Sequence, residues 1–94
     1  MEKEIVKIVC KVTGVSVREL MSQRRTQRIS DARHIAAFEL HRYGLNMLEV
    51  GDALHRHYTT IIHSLHCYHE QMQFNRRFRD VAEKITTMIA SRTQ

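Results

Sequence analysis

Proline is absent from this chain of 94 residues, and glycine occurs three times. Loop-rich and disordered chains carry far more of both, so regular elements are expected almost throughout. No apolar run approaches the roughly 20 residues of a membrane span. The N-terminus "MEKEIVKIVC" contains acids and no small-residue cleavage site, so it does not read as a signal peptide. The two cysteines, Cys10 and Cys67, are single and widely separated. They form no disulfide framework and read as reduced thiols in a cytoplasmic protein. A Gly-x-x-x-x-Gly-Lys-Ser/Thr loop is also lacking, so no ATP binding by this chain and no cofactor are expected.

Acid is scarce in two particular places. Lysine and arginine number 15 against 10 aspartates and glutamates, a formal charge of +5. Eleven of the fifteen are arginine, whose planar fork suits phosphates and guanine edges better than a lysine point charge does. From Ser22 to Ser30 there are three arginines and no acid. From Ala53 to His69 there is again no acid. A basic chain of one small domain, residues 1–94, suggests a nucleic acid or an acidic membrane surface as partner.

The apolar spacing is helical. Ile5, Val6, Ile8, Val9 and Val12 form one stripe, and Gly14 supplies the stop. Ser16 with Glu19 makes a capping box for a short helix through about Met21. "SQRRTQR" then reads as a basic loop without an apolar anchor, and Ser30 reads as the cap of a third helix with Ile35, Phe38 and Leu40 inward. Gly44 ends that helix. Asn46 with Glu49 starts a short fourth one, "MLEVGDAL". "HRH" is a turn, and a fifth helix runs from about Tyr58 to Gln73. Asn75 caps a sixth, with Phe78, Val81, Ile85 and Met88 or Ile89 inward. The expectation is an all-α chain of six helices.

On the fifth helix, Ile61, Leu65, Tyr68 and Met72 share a face, which is a core stripe. Thr59, His63, His66 and Glu70 lie opposite. The histidines at 63, 66 and 69 do not converge as zinc ligands, and no second Cys/His cluster completes a site, so no metal is expected. His63 beside Ser64 lacks nucleophile–base geometry, because neighbours on a helix point apart, so no catalytic residue is assigned and no enzyme is expected. A short helix, a tight turn and a longer helix over about residues 47–73 match a helix-turn-helix. Thr59 and Thr60 then sit where such modules meet base edges in the major groove. A threonine methyl packs on a thymine methyl, and its hydroxyl meets a base or a phosphate.

Three stretches, in order, carry a resemblance. "SQRRTQRISDARHIAAFEL", "LEVGDAL" and "HYTTIIHSLH" are similar to the C-terminal DNA-binding domain of the bacterial replication initiator DnaA. The resemblance covers roughly residues 4 to 83. It implies a six-helix DnaA C-terminal, Trp-repressor-like fold and double-stranded DNA as partner, with recognition of replication-origin sites, other replication proteins as further partners, and a cytoplasmic, nucleoid-associated location. It implies that Arg25, with Arg24 beside it and Arg28 in the same basic stretch, approaches the minor groove. It also implies that Arg33 and His34 contact the duplex, and that His57, Tyr58, Thr59 and Thr60 form the signature contact, with His63 on the same face. His57 and Tyr58 stand where the family carries aspartate and histidine, and Ala32 stands where it carries proline. Either an excised domain or a free-standing DnaA-like protein, of phage or mobile-element type, is expected. An alternative from another class is a protein-interaction or regulatory module in which Tyr58 and the histidines form a protein contact. The expected signature of DNA binding is a salt slope of about −4 to −5 and affinity rising as pH falls from about 8 to 6, through His34, His57 and His63.

Overall fold

The computed structural model describes residues 1–93, with side chains as far as Arg92. Six helices follow in order: α1 Glu2–Thr13, α2 Val17–Met21, α3 Gln27–Tyr43, α4 Met47–Leu54, α5 Tyr58–Phe74 and α6 Arg76–Thr93. There is no strand among the described residues. Each boundary has a local cause. Gly14 ends α1 in a left-handed conformation with φ 75°, which costs glycine nothing. Ser16 and Asn46 begin α2 and α4 as full capping boxes with Glu19 and Glu49. The Asn75 side chain accepts the Phe78 N–H at 3.0 Å at the head of α6.

The third helix begins earlier than expected. Thr26, in an extended conformation, is its N-cap residue, and Ser30 lies inside the first turns. The reason is Ile29, which is fully buried. It is the apolar anchor just beyond "SQRRTQR", and it draws residues 27–30 into the helix.

α3 is the centre. It packs against α1, α2, α4, α5 and α6. Ala32, Ala36 and Ala37 are fully buried along it, and their small side chains let neighbouring helices approach closely. Around them sit Ile5, Leu20, Ile29, Ile35, Leu40, Leu54, Ile61 and Ile85, all fully buried. Each contributes about 1.5–3 kcal/mol of apolar burial before conformational entropy is charged against it. Phe38 of α3 stacks on Tyr68 of α5 with ring centroids 3.9 Å apart, and Tyr68 meets Phe78 of α6 edge-on. Burial, helped by the Glu39 carboxylate, pushes the Tyr68 hydroxyl up to about 12, so the ring remains neutral.

One acid is buried in this core. Glu39 accepts the Thr86 hydroxyl at 2.6 Å and two Arg42 N–H groups at 2.9 and 3.1 Å. It ties α3 to α6. Arg79, at the head of α6, donates to the Met72 carbonyl at 2.9 Å and so satisfies one of the orphan carbonyls at the end of α5. No described helix is long and apolar enough to cross a membrane.

Candidate nucleic-acid interface

α4, the turn His55–His57 and α5 make the helix-turn-helix. The turn is fixed by its own main chain. The Arg56 N–H donates to the Gly51 carbonyl at 2.8 Å. His55 is left-handed with φ 56°, the single positive φ at a non-glycine among the described residues. Gly51 is required by contact: a Cβ there would lie 2.5 Å from the Arg56 carbonyl oxygen. His57 then caps α5. Its Nδ1 accepts the Thr59 N–H at 3.3 Å and lies 2.9 Å from the Thr59 hydroxyl. The cap uses a bare Nδ1, which assigns the ring proton to Nε2 and leaves that atom for a ligand. Thr59 and Thr60 follow, both exposed, while Ile61, Ser64 and Tyr68 turn inward. The buried line therefore runs through Ser64, with Leu65 and Met72 only half-buried.

The basic loop, residues 22–26, is held from outside. Arg33 points into the protein and is 6% exposed. Its guanidinium donates to four main-chain carbonyls: Leu20 at 2.9 Å, Arg24 at 3.0 Å, Ser22 at 2.9 Å and Glu19 at 3.3 Å. Two of these are orphan carbonyls at the end of α2, where a cation also meets the negative end of the helix dipole. Arg33 was expected as a surface contact to the duplex. All of its bonded N–H groups face protein carbonyls, so its position is that of a clamp. Burial, then Arg56 and Arg25, lower its pKa from the ordinary value, yet a guanidinium remains charged.

The loop's charge is also smaller in space than in sequence. Glu19 of α2 lies 3.5 Å from Arg24 and 3.2 Å from Arg28. The Ser16 backbone N–H, aided by Arg28 and Arg24, holds its carboxyl below the usual range. Arg28 also donates to the Gly14 carbonyl at 2.9 Å, which directs it toward the α1–α2 junction. Of the three arginines between Ser22 and Ser30, only Arg25 has no carboxylate partner among the described residues.

Loop and helix-turn-helix face each other across a cleft of about 590 Å³. Arg25, Arg33, His34, His57, Thr59, Thr60 and His63 line it, and none of the lining residues is an acid. The structure thus gathers seven of the ten candidate residues. Arg24 and Arg28 stand outside it with Glu19. Tyr58 lies at its edge, 42% exposed, its ring 4.7 Å from that of His57. Gln23, Ser30, His55, Arg56 and Ser64 complete the wall and were not singled out by sequence. Arg56 is the important omission. Its side chain donates to the Ser22 carbonyl and, at 2.9 Å, to the His55 carbonyl. Only its place in the "HRH" turn, inside the second acid-free stretch, hinted at it.

The histidines differ from one another. His34 is half-buried, and its Nδ1 is buried without a hydrogen-bond partner. Burial, then His63 and Arg33, bring its pKa down to about 4. It therefore gains no proton between pH 8 and 6, contrary to the expectation for that residue. Between His63 and Cys67 the Nε2–Sγ distance is 3.4 Å. Burial and Glu70 push the Cys67 thiol up, so it stays protonated. No group of three or more His, Cys, Asp or Glu among the described residues is placed to hold a metal ion.

The comparisons with known proteins agree with the helix-turn-helix. The family described as bacterial dnaA protein helix-turn-helix matches residues 3–67. That span takes in α1 to α4, the loop, and the first ten residues of α5. The chain is similar to the chromosomal replication initiator protein DnaA of Aquifex aeolicus (strain VF5), with 30% identity over 78 residues, which cover 81% of this chain and 20% of that protein. The chain thus spans about a fifth of that relative's length.

Proposed function

This chain belongs to the bacterial DnaA helix-turn-helix family, and from that premise we propose that it binds double-stranded DNA through the cleft between loop and α5. The start of α5 enters the major groove, and Arg25 reaches the neighbouring minor groove. One observation carries this reading: Arg25 and the exposed pair Thr59 and Thr60 face a common cleft without a carboxylate in its walls. Tyr58 and Ile62, 42% and 43% exposed, flank the threonines and offer apolar surface to thymine methyls. Arg24 and Arg28, paired to Glu19, add little, so the number of neutralised phosphates falls to about three and the salt slope to about −3. The name of the Aquifex relative supports origin-type sites in replicating DNA as the targets, with replication proteins as further partners.

The test is enrichment of sequences from a randomised duplex pool, followed by affinity measurements across salt. Two short enriched blocks, one of them A·T-rich, and a slope near −3 support the reading. No enrichment and a slope near zero favour the protein-interaction alternative, for which the exposed Leu48, Tyr58 and Ile62 are the available apolar anchors.

A further inference from the structure

Three parts of the chain meet at the Ser22 carbonyl. It accepts from Arg33 Nη2 of α3 at 2.9 Å and from Arg56 Nη2 of the helix-turn-helix turn. The main chain of Arg56 is itself bonded to Gly51, and its Nη1 bonds to His55. A single side chain thus spans from the turn before α5 to the loop that carries Arg25, across 34 residues of sequence. Neither Arg33 nor Arg56 has a carboxylate partner among the described residues. Two guanidiniums converge on main-chain oxygens in spite of their mutual repulsion, and the gap that Arg56 closes lies between the loop and the start of α5, the two elements that contact DNA in the reading above.

We infer that Arg56, together with Arg33, is a positioning residue that fixes the offset between the loop and the start of α5, so that the domain reads its two groove segments at one spacing. The inference rests on the DNA reading. Its physical basis is preorganisation. A loop held in place before binding has already met its ordering cost. A held loop also meets the duplex at one distance from α5, whereas a loose one adapts to several.

Arg33 is too deeply buried to be the informative variant, so the test uses Arg56. Arg56→Met keeps the apolar stem and removes the fork, and Arg56→Lys restores a single donor. Without DNA, backbone ¹⁵N relaxation of residues 23–26 is compared. Order parameters near about 0.85 in the parent should fall below about 0.6 in Arg56→Met and recover in part in Arg56→Lys. With DNA, both proteins are taken through the randomised duplex pool. The parent should enrich two blocks at one spacing, and moving them by one base pair should weaken it about tenfold, near the low end of a mismatch. Arg56→Met should enrich the same blocks at several spacings, with a penalty within about twofold and a nearly unchanged salt slope. Unchanged loop order with an unchanged spacing penalty overturns the inference. So does a slope smaller by about 1 with the penalty intact, which makes Arg56 a phosphate contact. A parent that enriches no sequence overturns the DNA reading and with it the spacing. That failure is told apart from a failed clamp by the loop amides, which still loosen in Arg56→Met.

Discussion

The turn after α2 and the turn after α4 start alike. Each follows a short helix opened by a capping box, Ser16 with Glu19 and Asn46 with Glu49. Each carries arginine and faces the same cleft. They are held by different means. The turn after α4 is closed by neighbours in sequence: Gly51 leaves room, Arg56 bonds back to it, and His55 takes the left-handed position. The turn after α2 has local contacts at Ser22, whose N–H and hydroxyl bond to the Glu19 carbonyl and whose hydroxyl accepts the Arg24 N–H, and an ion pair of Arg24 with Glu19. The bonds that reach it from elsewhere in the fold come from Arg33 and Arg56. One turn is stiff because of its main chain, the other because distant side chains reach it. The two should therefore fail separately.

Gly51→Ala attacks the first turn and should have the largest effect. A methyl group 2.5 Å from the Arg56 carbonyl forces main chain apart, at a cost of about 3 kcal/mol. A thermal melt followed by circular dichroism should show Tm lower by about 15 °C. A loss below about 1 kcal/mol would mean that the turn yields easily and the contrast is false. Arg33→Met attacks the second. Four carbonyls lose a charged donor, and stability should fall by about 2 kcal/mol. Amide exchange should quicken in residues 22–26 and stay unchanged in residues 50–58. Uniform quickening would show a single cooperative unit instead of two separable turns.

A smaller effect is expected from pH. His34 binds its proton less readily folded, at about 4, than unfolded, at about 6.5. The unfolded state then holds more protons between those values, so stability is complete above about pH 6.5 and falls as pH drops toward 4. Partial solvent exposure reduces the full effect to about 1–2 kcal/mol. Chemical denaturation of the parent and His34→Gln at pH 7.5 and 4.5 isolates it, because acidic groups titrate in both proteins. An identical pH response in the two would refute it. The smallest change in stability belongs to Arg25→Ala, within about 0.5 kcal/mol. Its DNA affinity should nevertheless fall, most of all at narrow A·T-rich minor grooves. Parent-like affinity at such sites would remove Arg25 from the interface.

The same contrast explains which parts of the molecule could be read from sequence. The capping boxes of α2 and α4, the glycine stops after α1 and α3, and the inward faces of α1 and α6 follow from residues within a turn or two of one another. They were legible for that reason. The loop was not. Arg33 resembles any surface arginine until the carbonyls of Glu19, Leu20, Ser22 and Arg24 are placed around it. The acid that tempers Arg24 and Arg28 lies outside the run that appeared acid-free. Nothing near Glu39 in the sequence marks it as buried, because its partner Thr86 is 47 positions away. Long-range polar partners leave no periodic trace in a sequence, and for the candidate site they decide which arginines remain free.

The three tyrosines stand in three different surroundings, and the chain has no tryptophan to outshine them. Tyr68 is 4% exposed and stacked on Phe38; Tyr43 is 51% exposed; Tyr58, 42% exposed, sits at the head of α5. Ultraviolet emission from this chain is therefore tyrosine emission alone. Replacing Tyr43 and Tyr58 by phenylalanine would leave an intrinsic dye for the core, and replacing Tyr43 and Tyr68 would leave one for the mouth of the cleft. The molecule supplies its own two optical channels, one for folding and one for occupancy, without an attached label.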